Sequence, residues 1–239
     1  MGRIFEKRKD RMFARWAKTS KAFTKLGKEL AIAVKLGGPD PHSNPRLRMA
    51  IQTARSLNMP KDRIENAIKR ASSKDEASLQ EIIYECYGPH RVAIVVQTAT
   101  NNPTRTVANV RSIITHHEGN LGTTGSLSYI FDRRGIFTVA PPDGDMDEFE
   151  LELIDHGLEE IFETDDGLQI FTTFENFGSM QRALEERKVE VRSAGLQYVP
   201  KTMANVTPEQ EKEVNDLIEE LEDDDDVQHV FHNMAARDS

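Results

Sequence analysis

Apolar positions recur at helical spacing through Ala71, and from Ile82 strand and helix periods alternate. Over residues 20–36, Phe23, Leu26, Leu30, Ala33 and Val34 gather on one side of a helix that turns about 100° per residue. Gly37-Gly38-Pro39 ends that helix. Asn44 before Pro45 has the form of an N-cap with proline in the first turn, and it opens a second helix with Leu47, Ile51 and Ala54 inward. Pro60 opens a third, in which Ile64, Ala67, Ile68 and Ala71 fall at i, i+3, i+4 and i+7. The pattern predicts a small helical domain.

From Ile82 the period changes. Val92-Ala93-Ile94-Val95-Val96 predicts a buried strand, and Asn102-Pro103 opens a helix carrying Val107, Val110 and Ile114 that Gly119 should end. Residues 126–131 are expected to form the next strand. Near the end, Thr207-Pro208-Glu209-Gln210 has the form of a capping box, opening a helix with Val214, Leu217, Ile218 and Leu221 on one face, and a last strand is expected at residues 227–231. Between these pieces lies the order β-α-β-β-α-β: strands at 135–140, 161–164, 168–174 and 190–199, with helices near 147–156 and 178–187. That is the ferredoxin-like order. The predicted class is therefore α+β with three domains: a helical domain over 1–78, a discontinuous α/β domain over 79–133 and 203–239, and a ferredoxin-like domain over 134–202 inserted into it. Both sheets are expected to be antiparallel or mixed.

Charge adds what periodicity does not show. The 239 residues carry a net charge of −9. Residues 1–75 nevertheless hold 19 Lys and Arg against 7 Asp and Glu, a balance of +12, while the remainder holds 12 against 33, a balance of −21. Such segregation suggests one part made for a polyanion and another that is not. On the first helix Lys21, Lys25, Lys28 and Lys35 fall within an arc of roughly 80°, opposite the apolar side. Ahead of them come Arg3, Lys7, Arg8, Lys9, Arg11, Arg15 and Lys18 with Phe5, Phe13 and Trp16 interleaved, and Arg46, Arg48 and Lys61 follow on the next helices. Ammonium and guanidinium groups displace the counterions condensed on phosphates, and an aromatic ring such as Trp16 can stack on an unpaired base. These residues are the candidate nucleic-acid contacts, although a lysine row can equally be a solvated helix face and Trp16 a core residue.

Other chemistries find little support. Cys86 is the single thiol, which excludes an intrachain disulfide and suits a reducing compartment. No run approaches the roughly 20 apolar residues of a membrane span. Glu6 and Asp10 weigh against reading the Arg-rich start as a mitochondrial transit sequence. His116-His117 and the His229/His232 pair lack a metal-binding arrangement, and residues 223–226 lack the alternation of a calcium loop, which leaves a solvated acidic connection. Gly119, Gly122 and Gly125 lie between helix and strand, the wrong order for a phosphate-cradling loop. No nucleophile elbow or HExxH occurs. The expectation is a cytoplasmic, non-enzymatic protein without cofactor, metal, membrane partner or small-molecule substrate.

Several segments together resemble the YebC/PmpR family: Leu36-Gly37-Gly38-Pro39-Asp40-Pro41 with Asn44-Pro45-Arg46-Leu47-Arg48, Asn58-Met59-Pro60-Lys61-Asp62, Tyr84-Glu85-Cys86-Tyr87-Gly88 with Pro89, Asn109-Val110-Arg111, Gly119-Asn120-Leu121-Gly122, Gly125-Ser126, and Leu221-Glu222-Asp223-Asp224-Asp225-Asp226-Val227 with His232-Asn233. They follow the family's order across nearly the whole chain. The resemblance implies three domains and an intracellular regulator of gene expression. Bacterial members are described as DNA-binding transcriptional regulators, and mitochondrial relatives are translational activators, of cytochrome c oxidase, with links to ribosomes. Many members open with Gly-His-Ser-Lys-Trp, whereas this chain opens Met1-Gly2-Arg3-Ile4-Phe5-Glu6 and places Trp16 later. The resulting expectation is a DNA-binding transcriptional regulator, with a ribosome- or RNA-associated translation factor as the alternative and a protein-interaction adaptor as the second.

Overall fold

A computed structural model of the chain describes the backbone of residues 2–73, 79–142 and 144–235, and side chains from Ser20 onward. The first helix is longer than its apolar stripe: α1 runs Gly2–Gly37, followed by α2 (Pro45–Ser56) and α3 (Lys61–Ala71). Leu30, Ala33 and Val34 of α1 meet Leu47, Ala50 and Ala54 of α2 and Ile64 and Ala67 of α3 in one core, with Phe23 and Leu26 packed against it. Asn44 caps α2 as expected, accepting from the Leu47 amide at 3.0 Å. The same buried side chain donates to the Ala33 and Gly38 carbonyls at 2.7 and 2.8 Å, closing the end of α1. A side chain at position 37 would collide with that amide, since a Cβ there would lie 2.7 Å from Asn44.

The next elements are β1 (Gln80–Tyr87), β2 (Ala93–Thr100), α4 (Pro103–His116) and β3 (Asn120–Leu121), and they resume after a long excursion with α7 (Pro208–Asp223) and β8 (Val227–His232). These strands form a four-stranded sheet in the order β3-β1-β2-β8. Every residue of β2 is buried, the apolar Ala93-Ile94-Val95-Val96 as its run requires and the polar Gln97, Thr98 and Thr100 with it. The capping box at Thr207 is formed: its amide donates to Gln210 Oε1 at 2.9 Å, and its hydroxyl oxygen accepts from the Gln210 amide at 3.3 Å.

The excursion holds β4 (Phe131–Val139), α5 (Met146–Ile154), β5 (Leu158–Thr164), β6 (Gly167–Thr173), α6 (Phe177–Glu186) and β7 (Val191–Pro200). Its sheet order is β5-β6-β4-β7 with antiparallel pairing throughout, which is the ferredoxin-like arrangement. Phe137, Phe149, Leu153, Ile170, Met180 and Leu184 are completely buried in its core, where Phe137 stacks on Phe177 at 4.7 Å. By contact density the chain divides into two compact units, Met1–Ile82 with Gln97–Asn109 and Glu219–His229, and Ile83–Val96 with Val110–Ile218 and Val230–Ser239.

One expected strand is absent. Most of 126–131 forms turns, and β4 begins only at Phe131. The cause is the carboxylate of Glu85, which accepts from the Gly125 amide at 2.8 Å, the Leu127 amide at 2.6 Å and the Ser126 hydroxyl at 3.3 Å. The Gly125 and Leu127 amides are thereby withdrawn from any ladder, while Leu127 and Ile130 reach the core at i, i+3 spacing.

Candidate nucleic-acid interface

The lysine row of α1 is engaged within the chain, although Lys21 and Lys35 keep substantial solvent exposure. Lys21, Lys25 and Lys28, at i, i+4 and i+7, meet the carbonyl end of α7 and the acidic run beyond it. Lys21 Nζ pairs with Asp223 Oδ1 at 2.8 Å. Lys25 Nζ donates to the Glu222 carbonyl at 2.6 Å. Lys28 Nζ donates to the Asp225 carbonyl at 2.8 Å and pairs with Asp226 Oδ1 at 2.6 Å. A helix C-terminus carries partial negative charge on unpaired carbonyls, so these lysines act as its caps. Burial lowers the pKa of Lys25, with Glu222 opposing and Lys21 adding to the effect. The hydrogen bond to Asp223 raises that of Lys21. Lys35 is turned to the Leu79 carbonyl at 3.0 Å.

The acidic run is accordingly not a solvated connection along its length. Asp226 is buried, its side chain 6% exposed. One oxygen takes Lys28, and the other takes Arg105 Nη2 at 2.6 Å and the hydroxyls of Thr106 at 2.8 Å and Thr100 at 3.3 Å. Burial alone would raise its pKa, but the bonds from Lys28, Arg105 and Thr106 outweigh it and hold the carboxyl down to about 2.

Arg46 and Arg48 are also turned inward. Arg46 bonds Glu29 through Nε and Nη2 at 2.8 and 3.2 Å and Glu81 through Nη1 at 2.8 Å. Burial would lower the pKa of Arg46, but the two carboxylates raise it well above its ordinary value. Arg48 Nη1 donates to the carbonyls of Pro41 and His42 at 2.7 and 2.9 Å. Lys61 remains at the surface, its side chain 82% exposed and 3.5 Å from Glu65. Arg3, Lys7, Arg8, Lys9, Arg11, Arg15, Trp16 and Lys18 lie on the backbone of α1, and their side chains fall outside the described ones.

The structure adds cations that the apolar pattern did not single out. Arg55, Arg63, Lys69 and Arg70 are exposed on α2 and α3. Arg63, Asn66 and Arg70 share one face of α3, and the signal was present in their i, i+3, i+7 spacing. They line a groove of about 930 Å³ together with Phe23, Gly27 and Ala31 of α1. The Arg63 guanidinium lies 5.8 Å from the centre of the Phe23 ring. The groove thus has an apolar floor and a cationic rim. Among the described residues no cluster of His, Cys, Asp and Glu could hold a metal ion, and no helix is long and apolar enough to cross a membrane.

Comparison with known proteins covers both parts of the chain. Residues 3–74 match the family model of the TACO1/YebC protein N-terminal domain, and residues 79–234 that of the TACO1/YebC second and third domain. A probable transcriptional regulatory protein of Anaeromyxobacter dehalogenans is 54% identical over 240 residues, covering 98% of this chain and all of its own. One from Parabacteroides distasonis, with the same description, is 49% identical over 240 residues, covering 100% and 99%. The crystal structure of a conserved hypothetical protein from Aquifex aeolicus superposes with a TM-score of 0.80 at 35% identity, over 93% of each chain.

Proposed function

The chain belongs to the TACO1/YebC family, and we propose that it is a non-enzymatic, cytoplasmic regulator of gene expression that contacts nucleic acid through exposed cations of its helical N-terminal part. The observation that carries this reading is the cationic face of α3, where the exposed Arg63, Lys69 and Arg70 line a groove that Lys28, itself held by Asp225 and Asp226, also borders. The +12 balance of residues 1–75 supports it, as do the names of the bacterial relatives, which place them in transcription. DNA is therefore the first target to test. Contacts of this kind neutralise phosphates and set register without reading base sequence.

The test is binding of the purified protein to duplex DNA and to structured RNA across a salt series. Log affinity should fall with log salt at a slope of about −0.9 per phosphate contacted on B-DNA. The triple change Arg63→Ala, Lys69→Ala and Arg70→Ala should flatten that slope. Preference for RNA would move the regulator from transcription to translation. Absence of salt-dependent binding to both would refute the reading and leave a protein-interaction adaptor.

A further inference from the structure

Gly27 stands in the interior of α1, where glycine costs about 1 kcal/mol relative to alanine. No packing explains it: a Cβ built there meets nothing within 4 Å. The position opens onto the groove, one helical turn from Phe23, and Arg63, Asn66 and Arg70 of α3 line the same groove. A helix-interior glycine facing empty space beside an aromatic ring and guanidinium groups is the arrangement expected where a ligand must approach the backbone closely.

We propose that this groove is a binding site for an unpaired nucleic-acid strand, with bases lying on the floor at Gly27 against Phe23 and phosphates held by Arg63, Lys69 and Arg70. The site rests on the nucleic-acid reading given above and narrows it. In a duplex the base faces are stacked inside and cannot reach an apolar floor, whereas an unpaired base offers its face to an aromatic ring and its edge to an amide such as Asn66. The cationic rim selects a polyanion over an uncharged peptide, and the floor gives an unpaired strand an advantage that charge alone would not.

Fluorescence anisotropy with labelled ten-nucleotide oligo-dT and oligo-U, and with a 20-base-pair duplex, tests the site. Gly27→Leu places a side chain in the groove without touching the helical core. It should weaken both oligonucleotides at least tenfold, change duplex affinity less than threefold, and leave the melting temperature equal or raised, because leucine is the better helix former. The double change Arg63→Ala and Arg70→Ala, at exposed positions, should weaken the oligonucleotides and reduce their salt slope. Unchanged oligonucleotide binding by Gly27→Leu, or equal weakening of oligonucleotide and duplex, overturns the groove while leaving the broader reading intact. Failure of the unaltered protein to bind any of the three overturns both. Groove-dependent binding of poly-glutamate in place of the oligonucleotides would assign the groove to an acidic protein segment and also overturn the proposal.

Discussion

Replacing Asp226 with asparagine removes a charge at the centre of a buried network while nearly preserving shape. The carboxylate accepts from Lys28, Arg105, Thr106 and Thr100, and so joins α1, α4, β2 and the start of β8. Its pKa of about 2 in the folded protein lies roughly two units below that of an unfolded aspartate, and each unit is worth about 1.36 kcal/mol. The ionised form therefore contributes on the order of 2–3 kcal/mol. Because the folded pKa is the depressed one, this contribution is fully present above about pH 4 and is lost as pH falls towards 2. Asp226→Asn should lower unfolding stability in urea by about 2–3 kcal/mol at pH 7, equivalent to roughly 5–10 °C in melting temperature for a chain of this size. The gap between the two proteins should be constant from pH 8 to 5 and narrow from pH 4 to 3. Equal stability at pH 7, or a gap as wide at pH 3 as at pH 6, would refute the assignment of this carboxylate as an ionised anchor.

Further outcomes follow from single positions. Arg91 holds φ 62 directly after His90 at φ 58, a conformation costly for a residue with a Cβ, so Arg91→Gly should stabilise the protein by about 0.5–1 kcal/mol in thermal unfolding; a loss of stability would show the turn to be unstrained. A Cβ at Gly135 would lie 2.6 Å from Phe177 and 2.7 Å from Thr172, and Gly135→Ala should cost about 1–3 kcal/mol by overpacking. Cys86 is fully buried, and burial pushes its thiol up to about 12. Ellman's reagent should therefore react with it only after denaturation, and prompt reaction with the native protein would contradict that burial. Thr207→Ala removes the capping hydroxyl of α7 and should cost about 1 kcal/mol.

Local features were the legible ones. Asn44 before Pro45, and Thr207 three residues before Gln210, announced their helices because a cap is a short-range bond. The β-α-β-β-α-β order could be read because strand and helix periods alternate there without interruption. Long-range partners were hidden. Glu85 lies about 40 residues before the turn it folds, so the local pattern around Leu127 carries a strand signal that this long-range partner overrides. The lysine row was recognisable as a row, but its acidic partner stands 197 to 202 residues away, and periodicity carries no record of which surface a charged face meets. The partners of Arg46 are hidden for the same reason, since Glu29 and Glu81 lie on other elements. The polar face of α3 is readable from the i, i+3, i+7 spacing of Arg63, Asn66 and Arg70.

The distance between the lysines and their partners also orders events in time. A chain is made from its N-terminus at about 5–20 residues per second, so Lys21, Lys25 and Lys28 emerge roughly 10–40 s before Glu222 to Asp226 exist to receive them. During that interval the three lysines have no acidic run to meet, and only the synthesis of residues 222–226 lets the same three become caps on a helix end.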